Sequence, residues 1–240
     1  GFYVVRVAER PGDEESLLPA ALPVCAALAS RTSTLRIGTA VLPLPLHQPL
    51  RVAEDAASLD ALSAGRFELG VGLGSDPDAA RRFGLTEAPR AELLEEALAL
   101  IRSAWRDGPL DHAGSHFVVE GVEVWPKPVQ RPGPPIWIGA GAPAAQRRAA
   151  RIADGLLLAP GAAPAAFLEG WQSEGRPLAE ARLAFPIPAP LDRAGLRSHV
   201  EPLLAACQGV AAVDLAFAPE ADLADAVAAL DPWRGASGPD

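Results

Sequence analysis

Residues 37–74 read IGTAVLPLPLHQPLRVAEDAASLDALSAGRFELGVGLG, and this stretch decides the fold. It opens inside a short apolar run, Leu35–Leu42, of strand character. Pro43, Pro45 and Pro49 follow. Proline has no N–H to give a sheet ladder, so the strand must stop or change partners there. Arg51–Gly65 has helical spacing, with Val52, Ala56, Leu59 and Leu62 on one apolar face and Gly65 as the stop. Arg66–Gly74 is a second strand, nearly all apolar. Strand, single helix, strand is a βαβ unit, and apolar strands joined this way lie parallel in a sheet covered on both faces. Gly38, Thr39 and Ala40 leave room above the backbone, so the first strand ends on an apolar shelf with a small-residue floor.

The rhythm continues in both directions. Strands are expected at Phe2–Ala8, Pro135–Gly141, Leu156–Pro160, Arg182–Leu191 and Ala212–Pro219. Helices are expected at Leu17–Thr32, Arg90–Trp105, Pro143–Gly155, Ala165–Gly175, Leu196–Gly209 and Asp222–Leu230. In the helix at Arg90–Trp105 the apolar face is Leu94, Ala97, Leu98, Ile101 and Trp105. Asp107–Pro135 is an excursion with two strand-like pieces, His116–Gly121 and Val122–Trp125. Seven βα units result, read as one domain over residues 1–240. Right-handed crossovers leave an open doubly wound sheet or a closed (β/α)8 barrel of the TIM type. A complete barrel needs one more unit. The chain opens in a strand, so the absent unit is expected to be the first.

Composition narrows the function. Of 240 residues, 49% are hydrophobic and 21% charged, and the net charge of -9 has no basic stripe. That balance argues against nucleic acid and anionic membranes as partners. No apolar run approaches the ~18 residues of a membrane span, and no signal segment opens the chain. Cys25 and Cys207, both placed in expected helices, read as reduced buried thiols of a cytosolic (cytoplasmic) protein.

In either architecture ligands bind at the C-terminal ends of the strands. Those ends are Glu9 and Arg10; Ala40–Pro43; Gly72, Gly74 and Ser75; Gly139–Gly141; Ala159 and Pro160; Pro186 and Pro188; Ala218 and Pro219. This rim is poor in acids and bases. Hydrolysis or acid–base work would want paired carboxylates or a histidine dyad. A small apolar rim suits a flat aromatic cofactor that brings its own chemistry.

The stretch Gly38–Gly74, with Pro128–Gly141, Arg147–Gly155 and the spacing from Glu9 to Gly38, resembles the bacterial luciferase-like monooxygenases. The resemblance implies a (β/α)8 barrel, here without its first unit. It implies FMN, or a deazaflavin coenzyme, bound at the C-terminal end of the barrel. It implies a non-prolyl cis peptide at Ala40–Val41 supporting the ring, and cofactor-binding roles for Glu9, Ala40, Val41, Gly72, Leu73, Gly139, Ala140, Gly141 and Ala142. Three positions depart from the family pattern. Arg10 stands where relatives often carry a catalytic histidine after the glutamate. Leu73 replaces a basic residue in the glycine turn, and Ala140–Ala145 offers no hydroxyl to a phosphate, although backbone N–H groups of the helix opened by Pro143 could hold an anion.

Other motifs have bland readings. Gly70–Gly74 resembles half a dinucleotide fingerprint, but no helix opens directly after it. His112 and His116 read as solvated loop histidines, since Gly114 between them breaks a helix and no further ligands lie near. Arg66 reads as a turn contact or ion pair below its strand. Arg147, Arg148 and Arg151 form a solvated basic face. His47 is the one rim-side histidine; it either lines the pocket or makes a lead-in contact. Asp107–Pro135 lies on the stability face of a barrel and reads as structural or as a subunit contact.

The reading is therefore a flavin- or deazaflavin-dependent oxidoreductase or monooxygenase acting on a small organic substrate. Arg10 and His47 are its polar steering or catalytic candidates, and no metal site is expected. A flavin reductase would donate electrons, and a homodimer would cover the exposed barrel edges. The alternatives are a shortened, non-catalytic flavin- or partner-binding relative and, less favoured by this rim, an unrelated flavin-free barrel enzyme.

Overall fold

In a computed structural model, residues 3–12, 20–74, 76–84, 89–187, 198, 201–202, 205–210 and 212–217 are described. By backbone proximity the chain divides into two compact units, Gly1–Gly139 and Ala140–Asp240.

The first unit is built on parallel strands. β1 (Val4–Val7) pairs with β2 (Arg36–Thr39), and β2 pairs with β4 (Phe67–Gly72). β4 pairs in turn with β7 (Ile136–Ala140). The proline run acts as expected. After Thr39 the chain leaves the β2 ladder, and β3 (Leu42–Pro43) pairs with β4 at Val71 and Gly72. Three residues of 3-10 helix, Leu44–Leu46, then lead into α2 (Pro49–Leu62). The other helices are α1 (Ala21–Arg31), α3 (Pro77–Arg82) and α4 (Arg90–Ala104). α3 was not foreseen. It is one short turn-and-a-half, capped by the Asp76 side chain accepting from the Asp78 N–H, and it lacks the apolar period that marks a longer helix.

Helix faces follow their spacing with one correction. Val52, Ala56 and Leu59 of α2 are buried, but Leu62 is 66% exposed. Ala53, Ala57 and Asp60 complete the buried face instead, because an ideal helix drifts in phase from the i, i+3 row. In α4, Leu94, Ala97, Leu98 and Ile101 are buried as expected, and so is Trp105 just beyond it. The Trp105 indole donates to the Ala53 carbonyl at 3.0 Å and so ties the end of α4 to α2. A Cβ on Gly133 would lie 2.2 Å from that ring, so only glycine lets the following loop lie flat on it.

Buried polar groups hold the lower ends of the strands. Glu68, 2% exposed, accepts from Arg6 at 2.8 Å and from Arg36 at 2.6 Å. The Arg6 guanidinium lies 4.4 Å from the centre of the Trp137 ring. Asp60 accepts from the Gln130 backbone at 2.8 Å and from its side chain at 2.6 Å. Arg66 makes the turn contact: it donates to the carbonyls of Ala29, Thr32, Leu35 and Ser63, closing the end of α1, and no carboxylate pairs with it among the described residues.

The excursion carries an antiparallel hairpin of β5 (Leu110–Ala113) and β6 (Val118–Val122). The expected piece Val122–Trp125 is not a strand past Val122. Prolines follow at once from Pro126, and the partner strand comes from the stretch before the turn instead. The histidines are not solvated either. Glu96 of α4 accepts from His112 Nε2 at 3.1 Å, the His116 N–H at 3.0 Å and the Phe117 N–H at 2.8 Å. These bonds pin the hairpin turn to α4. Partial burial opposes ionisation of Glu96, but the donors from His112, Phe117 and His116 outweigh it and hold the carboxyl below its ordinary range. A carboxyl held low in the folded state contributes stability above its unfolded value, and that contribution is lost as pH falls through the folded value. The stability advantage of the native chain over Glu96→Gln is thus expected to be full at pH 7 and to shrink below about pH 4–5. Paired urea titrations at both pH values check this; an advantage independent of pH would refute it.

In the second unit β8 (Gly155–Leu158) pairs with β9 (Arg182–Ile187), and β9 with β10 (Ala212–Phe217), all parallel. α5 (Pro143–Ile152) and α6 (Ala165–Ser173) are its described helices. Phe167 and Trp171 of α6 are fully buried. The expected helix at Asp222–Leu230, most of the one at Leu196–Gly209, and the rim positions Ser75, Pro188, Ala218 and Pro219 lie outside the described residues.

Both cysteines are free thiols and buried, Cys25 in α1 and Cys207 in a turn rather than a helix. Burial pushes the Cys25 thiol up to about 12, with the Glu9 carboxylate adding to the effect, and pushes Cys207 up to about 11. The thiolate is the reactive form. Neither is expected to react with iodoacetamide at pH 8 until urea unfolds the chain; labelling of the native protein within minutes would contradict this.

Candidate functional site

The site grows from the strand ends of the first unit. Thr39, fully buried, donates its hydroxyl to the Gly70 carbonyl at 2.6 Å and accepts from the Gly70 N–H at 3.0 Å. That clip locks β2 to β4 just below the point where the chain leaves the ladder. The Ala40 N–H donates to the Val7 carbonyl at 2.8 Å, and the Ala40–Val41 peptide is cis, as the resemblance implied.

Val41 then lies across two glycines. A Cβ on Gly72 would fall 2.8 Å from Val41 Cγ2, and one on Gly139 would fall 2.8 Å from Val41 Cγ1. The glycines of β4 and β7 therefore make the floor, and the valine methyls are the shelf. Ala40, Val41 and Leu73 remain half-buried, so the shelf keeps an apolar face open above a packed base.

A polar pair stands beside it. Glu9, past the end of β1, contacts His47 Nε2 at 2.6 Å through Oε1, and its Oε2 accepts from the Ala21 N–H at 3.1 Å. Its own N–H donates to the Val41 carbonyl at 3.4 Å. The Glu9 side chain is 5% exposed and that of His47 29%. Both carboxylate oxygens are thus engaged by protein groups, and one of them fixes the His47 ring. Arg10 follows at an exposed position.

The glycine turn after β4 holds Leu73, whose carbonyl accepts from Arg90 Nη1 at 3.4 Å. Gly74 has a φ of +80° and reverses the chain against Pro43. The sequence marked Thr39 only for its small size and not for its hydroxyl clip to Gly70, and no local signal marked Arg90, which reaches the turn from the start of a helix.

The second unit carries the remaining expected positions. Ala140 is buried, and its carbonyl accepts from the Ala159 N–H at 3.2 Å. A Cβ on Gly141 would lie 2.9 Å from the Ala159 methyl. Gln146, buried in α5, donates to the Gly141 and Ala163 carbonyls at 2.9 and 2.8 Å. Ala142 is the N-cap of α5 and offers no capping side chain, so N–H groups of the first turn remain the donors at that end. No group of three or more metal-ligating side chains occurs among the described residues. No described helix is long and apolar enough to cross a membrane.

Residues 1–230 match the family model for luciferase-like monooxygenase. The chain belongs to that family. Among the relatives of this luciferase-like chain, an F420-dependent glucose-6-phosphate dehydrogenase of Microbacterium testaceum is 37% identical over 155 residues, 63% of this chain and 45% of the relative. The oxygenase component of a flavin-dependent trigonelline monooxygenase of Acinetobacter baylyi is 28% identical over 142 residues, 58% of this chain and 39% of the relative. The chain spans less than half the length of the curated relatives it matches. Among solved structures, the coenzyme F420-dependent tetrahydromethanopterin reductase of Methanopyrus kandleri superposes with a TM-score of 0.77 at 18% identity, covering 92% of this chain and 87% of that one. At that identity the likeness shows the fold, which is the α/β TIM-barrel type of luciferase-like enzymes.

Proposed function

We propose that this luciferase-like chain is an oxidoreductase or monooxygenase that uses FMN and acts on a small organic substrate, with a deazaflavin coenzyme as the alternative cofactor. One observation carries the reading: the Val41 methyls, set over Gly72 and Gly139, form an apolar platform with Glu9–His47 at its side. The residues fit a flat aromatic ring, because two missing Cβ atoms let the valine sink and leave its upper face open. Relatives named for flavin and for F420 support a redox cofactor of this shape. When bound, the cofactor would supply the redox chemistry. Ala40, Val41, Gly72 and Gly139 would support the ring. His47, fixed by Glu9, would hold or pass a proton and orient the substrate, and Arg10 would meet the substrate from the exposed side.

A flavin reductase as electron donor, a homodimer and a cytosolic setting belong to the same proposal. Val118, Trp125 and Val129 are 71%, 63% and 59% exposed and supply apolar surface for self-association. The two buried free thiols suit a reducing compartment. The departures at Arg10, Leu73 and Ala140–Ala145 favour a second reading, a relative that binds the cofactor without turnover.

The test is an anaerobic titration with FMN and with the deazaflavin coenzyme, oxidised and reduced, followed by absorbance and fluorescence. Micromolar binding of either supports the reading, and a substrate screen then separates enzyme from binder. No binding by a folded chain refutes it.

A further inference from the structure

We infer that Glu9 sets the ring tautomer of His47, so that neutral His47 presents a bare Nδ1 and accepts a hydrogen bond from its ligand; the use of that acceptor by a substrate rests on the reading above. In a neutral histidine one ring nitrogen donates and the other accepts. The partner of either nitrogen decides which is which. Here Nε2 lies 2.6 Å from Glu9 Oε1. An ionised carboxylate only accepts, so Nε2 carries the hydrogen and Nδ1 the lone pair. Nδ1 has no hydrogen-bond partner among the described residues, and the His47 side chain is 29% exposed. The bare nitrogen is left for a ligand, and the group that meets it must bring an O–H or N–H. A carbonyl or ether oxygen would set lone pair against lone pair.

Both members of the pair are tied down by backbone as well as by side chain. The Glu9 N–H donates to the Val41 carbonyl at 3.4 Å, and the His47 N–H to the Leu44 carbonyl at 3.0 Å. The second carboxylate oxygen, Oε2, accepts from the Ala21 N–H at 3.1 Å, at the first residue of α1. That last bond dictates what an amide would do in place of the carboxylate. In Glu9→Gln the Ala21 N–H still needs an acceptor, so the amide oxygen stays there and the NH2 group turns to His47. An NH2 group only donates. Nε2 must then accept, the hydrogen moves to Nδ1, and the open nitrogen changes from acceptor to donor. Glu9 is thus a positioning residue, acting through His47.

Nitrogen-15 NMR of the histidine-labelled chain reads the tautomer at about pH 9, where histidine is neutral. The chain has four histidines, and His47→Gln assigns the signal of His47. Circular dichroism melts confirm that each variant is folded. The native chain is expected to show Nδ1 as the unprotonated nitrogen by about tenfold or more, as one charge-assisted hydrogen bond predicts. Glu9→Gln is expected to show Nε2 instead. Imidazole in water already favours the hydrogen on Nε2, so this reversal is decisive. An unprotonated Nε2 in the native chain overturns the assignment whether or not a variant folds, and so does the native pattern kept in a folded Glu9→Gln. Cyclohexanol and cyclohexanone, alike in shape and different in the hydrogen they can donate, then probe the ligand. The alcohol is expected to shift the His47 signals of the native chain, and the ketone those of Glu9→Gln. An equal response of the native chain to both, silence included, overturns the rule for ligands. None of these spectra needs a flavin, so failure of every flavin to bind overturns the cofactor reading and leaves the tautomer standing.

Discussion

Glu68→Ala is expected to lower the unfolding free energy by about 3–5 kcal/mol, the usual result of removing one partner from a buried ion pair. The Glu68 side chain is 3% exposed and receives Arg6 and Arg36. Their side chains are 9% and 17% exposed. Without the carboxylate, the Arg6 and Arg36 guanidiniums would both lose the acceptor that they share. Glu68→Gln keeps one acceptor oxygen and should cost less than alanine. Urea unfolding at pH 7, followed by tryptophan fluorescence, measures both. A loss below about 1 kcal/mol for alanine would mean that water reaches the pair, since solvated pairs are worth that little.

The second expected result concerns the platform. Gly139→Ala should destabilise the chain by about 1–3 kcal/mol, as overpacking does, and should weaken flavin binding at least tenfold if Val41 carries the ring. The new Cβ would lie 2.8 Å from Val41 Cγ1, while the other methyl already fills the space over Gly72. Valine is stiff at χ1, so turning one methyl away drives the other into the neighbouring glycine. Removing both methyls frees the space. Gly139→Ala combined with Val41→Ala should therefore be more stable than the sum of the single losses, by a coupling of about 0.5 kcal/mol or more. Strict additivity of the two changes would show that the valine does not rest on Gly139.

Much of the fold was readable from local pattern. The period-3.6 runs gave α2, α4, α5 and α6 within a few residues, and the apolar β-branched runs gave the parallel strands. These signals are local because each element must bury one face, whatever its partners are. The misses were of a different kind. Leu62 reads as core by spacing, but at the last turn of α2 the buried row runs through Asp60 and Ser63, and Leu62 faces outward. The partner of β6 could not be chosen from Val122–Trp125 alone, because hairpin pairing depends on which flanking segment can offer N–H donors. His112 and His116 look like loop residues until α4 presents Glu96 to them.

The candidate site divides in the same way. Gly38, Thr39, Ala40, Gly72 and Gly139 announce themselves as small residues at strand ends, and the prolines after Leu42 mark where the ladder is left. So the sequence by itself determined the class of fold, the parallel sheet, and the apolar character of the strand ends where a ligand is proposed to bind. Only the tertiary structure decided which groups meet there: the Val41 methyls over two glycines from separate strands, Glu9 on His47 across 38 positions, and Arg90 at the Leu73 carbonyl across 17. Periodicity is written along the chain, since it reflects burial of each element's own face. Charge pairing and steric fit act between atoms a few ångströms apart in space, and residues distant in sequence carry no mark of one another until the strands bring them together.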